Sequence, residues 1–201
     1  MNLPNKLTFF RIILTFVIIF ILLFPFHYIN FEFPTLFIND KIMYSSKYLV
    51  SAILFIIASI TDWVDGYIAR KYKLITEFGK IIDAIADKIL VSSILIILAA
   101  QGIIPAIIPV IIILRDIIVD TLKLIIGSNS SAVGASIMGK IKTAFLMIGV
   151  TFALLNNLPF ELIGINVTDI ILIIASVLAI ISGIQYFNMS KKYFKKEEFV
   201  K

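Results

Sequence analysis

Four aspartates in two pairs, Asp62/Asp65 and Asp83/Asp87, stand in a chain of 201 residues that is otherwise largely apolar. Each carboxylate held at the edge of hydrocarbon costs on the order of 2.5–3.5 kcal/mol on insertion scales. Carboxylates brought close together without a cation repel one another or take up protons. A divalent metal resolves both problems. The ligand set is all oxygen, with no cysteine anywhere and a single histidine, His27, far from the aspartates. That donor set suits one or two hard cations, Mg2+ or Mn2+.

Spacing puts each pair on one helical face, since Asp62 and Asp65 are three apart and Asp83 and Asp87 four apart. Gly66 lies one turn beyond Asp62 and Gly79 one turn before Asp83. Both leave room for a ligand to approach the backbone. An antiparallel helix pair joined by the loop around residues 71–78 brings the two faces together. The plainer alternative is that these aspartates cap helices and pair with Arg70, Lys73, Lys80 or Lys88. It leaves the small residues on the acidic faces unexplained.

The elements that must position these side chains are membrane helices. The chain is 60% apolar with mean hydropathy +1.05, against roughly 45–50% apolar for soluble domains. No polar stretch is long enough to build a separate soluble domain, so residues 1–201 read as one membrane domain. The fold class expected is an all-α integral membrane protein with six transmembrane helices, at about 9–29, 47–70, 80–101, 104–127, 137–156 and 168–188. The uncharged run from Ile89 to Leu114 exceeds one span, and Gln101-Gly102 and Pro105 divide it. The first apolar run, Ile12 to Phe26, lacks a small-residue cleavage site and reads as a span rather than a removable leader.

Net charge is +5, and in a membrane protein basic excess reports orientation, not nucleic-acid binding. Lys6 and Arg11 precede or open the first helix. Arg70, Lys71, Lys73 and Lys80 crowd the second loop, Lys140 and Lys142 follow the fourth helix, and the tail from Lys191 to Lys201 is basic. This places both termini and loops two and four in the cytoplasm of a multi-pass cell-membrane protein. The uncharged run Tyr48–Thr61 spans only about 21 Å before Asp62, so the acidic site faces the cytoplasmic half of the membrane.

The pattern Asp62-x-x-Asp65-Gly66-x-x-Ala69-Arg70, followed by Gly79-x-x-x-Asp83-x-x-x-Asp87, resembles the full signature of the CDP-alcohol phosphatidyltransferase family. The resemblance implies a six-helix homodimer that moves the phosphatidyl group of a CDP-linked lipid to an alcohol and releases CMP. It assigns Asp62, Asp65, Asp83 and Asp87 to the metal ions, with Asp87 also the general base on the acceptor hydroxyl. It assigns Gly66, Ala69, Arg70 and Gly79 to the CDP moiety.

The opening Leu3-Pro4-Asn5-Lys6-Leu7-Thr8-x-x-Arg11 and the later Gly139-Lys140-Ile141-Lys142-Thr143 are similar to the glycerophosphate-using branch of that family. The substrates implied are CDP-diacylglycerol and glycerol 3-phosphate. A phosphate of roughly two negative charges needs fixed cations, and Arg115, Lys123, Lys140 and Lys142 are the expected set. Arg115 and Lys123 lie about 80° apart on one helix. The chain departs from that branch at Ala84, where proline is usual, and at Asp116 and Thr121-Leu122-Lys123, where Glu and Gly-Leu-Arg are usual.

Other readings stay open on residues alone. The acceptor could be phosphatidylglycerol, giving cardiolipin, or an inositol phosphate. Intramembrane aspartates also mark divalent-cation transporters, although these cluster at one face instead of stepping across the bilayer. Each lysine could simply snorkel to the headgroups, and the basic tail could bind anionic lipid. His27 reads as an interfacial residue and Trp63 as facing lipid or a neighbouring helix. Asn129-Ser130-Ser131 and Asn166-Val167-Thr168 match the glycosylation pattern by chance.

Overall fold

The computed structural model describes residues 2–38, 42–72, 74, 76–129 and 136–197. Lys41, Lys73, Ser130-Ser131 and the tail beyond Glu197 lie outside them. Six helices account for most of the chain: α1 (Leu3–Leu23), α2 (Ser46–Lys71), α3 (Glu77–Ala100), α4 (Ile107–Asn129), α5 (Ile137–Leu154) and α6 (Val167–Glu197). An antiparallel hairpin, β1 (Thr35–Ile38) with β2 (Ile42–Ser45), interrupts the α1–α2 connection with Leu36 opposite Tyr44. The all-α expectation omits this hairpin.

The observed helices differ from the expected spans at α6, which runs to Glu197 rather than about 188, and at α1, which begins at Leu3 rather than near residue 9. Pro4 sits in its first turn, where no backbone N–H is needed. The helix stops at Leu23 because Phe24 precedes Pro25 and takes extended geometry, ψ 128°. Arg11 therefore lies two turns inside the helix rather than at its mouth. The α3–α4 break falls where Gln101-Gly102 and Pro105 require it, with Gly102 at φ +72°.

Among the described residues, α1, α2, α5 and α6 are long and apolar enough to cross a membrane. The other two helices fall short because of charge. α3 carries Asp83, Asp87 and Lys88, and α4 carries Arg115, Asp116, Asp120 and Lys123. The chain is a helical membrane-embedded protein, and α3 and α4, with charges too central to leave an apolar span, sit in the bundle with the apolar helices.

The core centres on α3, whose Leu90, Ile94, Leu95 and Leu98 are fully buried against Ile18 and Leu22 of α1, Ala52 and Phe55 of α2, and Ile108 and Ile112 of α4. Positions three and four apart form that stripe. Gly149 lets α5 and α6 close up, because a Cβ there would stand 2.6 Å from Leu172 Cδ2. Phe9, Phe16 and Phe20 of α1 and Ile170, Ile173 and Ile184 of α6 point outward, as lipid-facing side chains do.

At one end of the bundle, buried hydrogen bonds tie the hairpin and the helix connections together. Tyr44 Oη donates to the Leu154 carbonyl at 2.7 Å, and burial pushes the phenol up to about 12, so it stays a donor. Asn157, at φ +60°, donates to Glu161 and to the Ile165 carbonyl and accepts from the Thr168 N–H and hydroxyl. The Thr168 hydroxyl of the second glycosylation-like triplet is thus buried in the α5–α6 connection. The four aspartates singled out in the sequence lie at the opposite end.

Candidate active site

That opposite end gathers the starts of α1, α3 and α5 and the later turns of α2, α4 and α6. Thr76 caps α3, its side chain accepting from the Gly79 N–H at 3.0 Å. One turn on from Gly79, Asp83 and then Asp87 meet Asp62 of α2. Carboxylate oxygens of Asp62, Asp83 and Asp87 lie within 4.8 Å of one another. Asp65, the fourth aspartate, sits beside this trio and is buried. It accepts from the Thr8 hydroxyl at 3.2 Å, and that hydroxyl lies equally far from the Pro4 carbonyl.

Arg11 occupies the middle of the group with no exposed surface. Its Nη1 pairs with Asp62 and, at 2.5 Å, with Asp87, while Nη2 pairs with Asp83 and, at 3.7 Å, with Asp65. Sequence reasoning counted Arg11 as a topology-setting charge and missed this position. The overlooked signal was Pro4, a first-turn residue that moves the helix start upstream and carries Arg11 into the bundle. Four carboxylates face one guanidinium, so the centre keeps an excess of negative charge. The trio of hard oxygen donors fits a divalent cation.

Two cavities adjoin the aspartates from different sides. The first, about 300 Å³, contains all four residues expected to hold a nucleotide: Gly66, Ala69, Arg70 and Gly79, together with Asp65 and Asp83. The start of α1 adds Pro4, Asn5 and Thr8, and the α2–α3 connection adds Thr76. The sequence reading did not assign these four to the nucleotide. A Cβ on Gly79 would stand 2.6 Å from Asn5 Oδ1 and 2.9 Å from Thr76 Oγ1, so this corner accepts only glycine without displacement.

The second cavity, about 230 Å³, begins at Asp87 and runs between α3, α4, α5 and α6. Three of the four residues expected to hold the acceptor phosphate, Arg115, Lys123 and Lys142, line it, and so do Lys88, Asp116, Asp120 and Tyr186. Lys140 is not among its lining residues and is exposed. The reason is helical geometry. Two residues along a helix is about 200° around it, so Lys140 and Lys142 cannot both face one cavity.

These cations are held by a carboxylate framework. Arg115 Nη1 donates to Asp116 at 2.8 Å and its Nη2 to Ser182 Oγ at 2.8 Å. Lys142 Nζ donates to both Asp116 oxygens at 3.0 and 3.1 Å. Asp120 pairs with Lys88 and, at 3.7 Å, with Lys123. Arg115 and Lys123 both lie over the Tyr186 ring, whose Oη accepts from the Ser136 N–H at 2.8 Å. The i, i+4 spacing of Asp116 and Asp120 was the signal for this framework. Leaving Asp87 to the acidic trio, four cations face two carboxylates here, and two positive charges are left over.

The family model for CDP-alcohol phosphatidyltransferase matches residues 1–181. The chain belongs to the CDP-alcohol phosphatidyltransferase family. It is 43% identical over 194 residues to the CDP-diacylglycerol--glycerol-3-phosphate 3-phosphatidyltransferase of Bacillus subtilis (strain 168), covering 96% of this chain and 97% of that one. It is 38% identical to the protein of the same name from Rickettsia bellii (strain RML369-C), over 96% and 97% of the two chains. Identity to the Haemophilus influenzae protein of that name is 34%, over 94% of each. The chain is an enzyme of this transferase class, and three of its four signature aspartates line the two cavities, Asp65 and Asp83 the first and Asp87 the second. In this phosphatidyltransferase Trp63, between two signature aspartates, is exposed and stacks on Tyr67, as a lipid-facing residue would. His27 lies in the short turn after α1, beside Tyr28 and remote from the aspartates.

Proposed function

We propose that this enzyme transfers the phosphatidyl group of CDP-diacylglycerol to sn-glycerol 3-phosphate, giving phosphatidylglycerophosphate and CMP. The observation that carries the acceptor assignment is the second cavity. Its two surplus positive charges match a phosphate monoester dianion, whereas phosphatidylglycerol offers only a singly charged diester. The names of the relatives point the same way. An inositol phosphate shares the dianion and is separated from glycerol 3-phosphate by the assay below.

Gly66, Ala69, Arg70 and Gly79 bind the nucleotide in the first cavity, and Arg115, Lys123 and Lys142 hold the acceptor phosphate in the second. Asp87 borders the second cavity and belongs to the acidic trio, which is where an acceptor hydroxyl must lose its proton. It takes that proton as general base. The freed oxygen bonds to the lipid-side phosphorus of the diphosphate, and the bond from that phosphorus to the CMP oxygen breaks. Asp62, Asp83 and Asp87, with Asp65 alongside, would hold one or two Mg2+ or Mn2+ ions. Bound there, such ions supply neutralisation of the diphosphate charge.

All six helices span the membrane in this reading, with both termini and the site on the cytoplasmic side. The support is that Arg11, Asp62, Asp83, Arg115 and Lys142, drawn from five different helices, converge at the end where the basic loops lie. We assign the enzyme to the cell membrane as a homodimer on the family resemblance.

The test is CMP release by the purified enzyme from CDP-diacylglycerol with a panel of acceptors. Glycerol 3-phosphate should drive release, and chelator or Asp87→Asn should abolish it. Release driven by phosphatidylglycerol or inositol phosphate but not by glycerol 3-phosphate overturns the acceptor. Divalent-ion flux into liposomes without CMP release overturns the reaction.

A further inference from the structure

Arg11 is the one charged side chain among the described residues with no exposed surface, and no step above uses it. Its two Nη groups grip Asp62, Asp83 and Asp87, the same three carboxylates whose oxygens lie close enough to share a cation. Its Nε–H is buried without a hydrogen-bond partner. A guanidinium seated for good normally uses its whole donor fork. Here the carboxylates alone dictate where it sits.

We propose that Arg11 is a built-in substitute for the metal: it holds the three aspartates together while no ion is bound, and it is displaced from them as an ion enters. The inference rests on the metal reading above. Three carboxylates from two helices would push α2 and α3 apart without a cation between them. Arg11 supplies that cation from α1, so the ligands stay assembled and the ion enters a site already built. Both cations cannot hold the trio at once. Mg2+ draws its oxygens in to about 2.0–2.1 Å in octahedral geometry, which leaves no place for Nη1 and Nη2 among the same oxygens, and a guanidinium is repelled by the ion. Metal affinity is therefore set by a competition, with Arg11 lowering it.

This separates Arg11 from a purely structural arginine. Loss of a structural residue lowers stability with or without metal and leaves metal affinity unchanged or weaker. Loss of a competitor lowers stability only when metal is absent and tightens metal binding.

The experiment uses full-length enzyme in lipid nanodiscs, Mn2+ as the probe, and free Mn2+ read by electron paramagnetic resonance. Wild type is compared with Arg11→Gln and Arg11→Lys, and melting is followed in chelator and in saturating Mn2+. Arg11→Gln should bind Mn2+ at least about tenfold more tightly. It should melt below wild type in chelator, with the gap closing in Mn2+, and Arg11→Lys should fall between. If Arg11→Gln survives only when prepared with Mn2+ and unfolds on stripping, the proposal is supported, and Arg11→Lys carries the affinity comparison. Equal or weaker Mn2+ binding in the variants overturns the role of Arg11 alone. Mn2+ binding by none of them, with CMP release that chelator does not stop, overturns the metal reading and this inference with it.

Discussion

Lys140 and Lys142 are chemically alike and two residues apart, yet the structure gives them different surroundings. Lys142 is 5% exposed and rests on Asp116 inside the second cavity, while Lys140 points out of it. Lys142→Met keeps the apolar stem and removes the ammonium. Asp116 retains Arg115 as its partner at 2.8 Å, so the carboxylate is not stranded and the loss of stability should be small. On the proposed assignment, what disappears is one charge-assisted hydrogen bond to the acceptor phosphate, about 1.5–3 kcal/mol. At 1.36 kcal/mol per factor of ten, kcat/KM for glycerol 3-phosphate should fall by about 10- to 150-fold. Initial rates of CMP release are measured against glycerol 3-phosphate at saturating CDP-diacylglycerol, then the other way round. For Lys142→Met the dependence on CDP-diacylglycerol should change by less than about twofold, and Lys140→Met should stay within about twofold in both series. Equal losses in the two variants, or a Lys142→Met effect divided evenly between the substrates, would refute the assignment of the second cavity to the acceptor.

Two further outcomes test the remaining geometry. Gly79→Ala places a Cβ 2.6 Å from Asn5 Oδ1 and 2.9 Å from Thr76 Oγ1; the displaced side chains should lower kcat/KM for CDP-diacylglycerol and leave glycerol 3-phosphate dependence largely intact, with about 1–3 kcal/mol lost in unfolding free energy, and the reverse pattern would place the nucleotide elsewhere. Tyr44→Phe removes the donor to the buried Leu154 carbonyl; a loss of about 1–3 kcal/mol in unfolding free energy, with both substrate dependences unchanged, is expected, and altered catalysis would contradict the separation of the two ends.

Much of this was legible in the residues because two periodicities do the work. The i, i+3 and i, i+4 spacings of Asp62/Asp65 and Asp83/Asp87 fix a shared helix face, and the breaks at Gln101-Gly102 and Pro105 fix where α3 must end. Gly66, Ala69, Arg70 and Gly79, which the family pattern assigns to the nucleotide, line one cavity. What escaped was whatever depends on contacts between helices far apart in the chain. Counting charges cannot show that Arg11 reaches aspartates 51 to 76 positions away, nor that Asp116 bridges Arg115 to Lys142. Lys140, expected beside Lys142 at the acceptor phosphate, does not line the second cavity. The 100° step per residue was available to exclude it, and reading the pair as a basic motif rather than as two directions on a wheel concealed that.

The placement of charge also explains why composition alone singles out four apolar helices while six are present. Asp83, Asp87 and Lys88 occupy only the first half of α3, whose remainder, Leu90 to Leu98, is core. In α4 the order is reversed, with Ile108 and Ile112 in the core before Arg115, Asp116, Asp120 and Lys123. Each helix is thus polar over the half that reaches the site and apolar over the other. A charged side chain on a lone span is expensive in hydrocarbon, but here nearly every charge has a named counter-charge: Arg11 for the aspartates, Asp116 for Arg115 and Lys142, and Asp120 for Lys88 and Lys123. The counter-charges come from neighbouring helices as well as from the same one, so α3 and α4 are tolerable only within the assembled bundle. Removing a partner should then harm the fold more than removing both, which is why Lys142→Met, with Arg115 left on Asp116, probes function rather than folding.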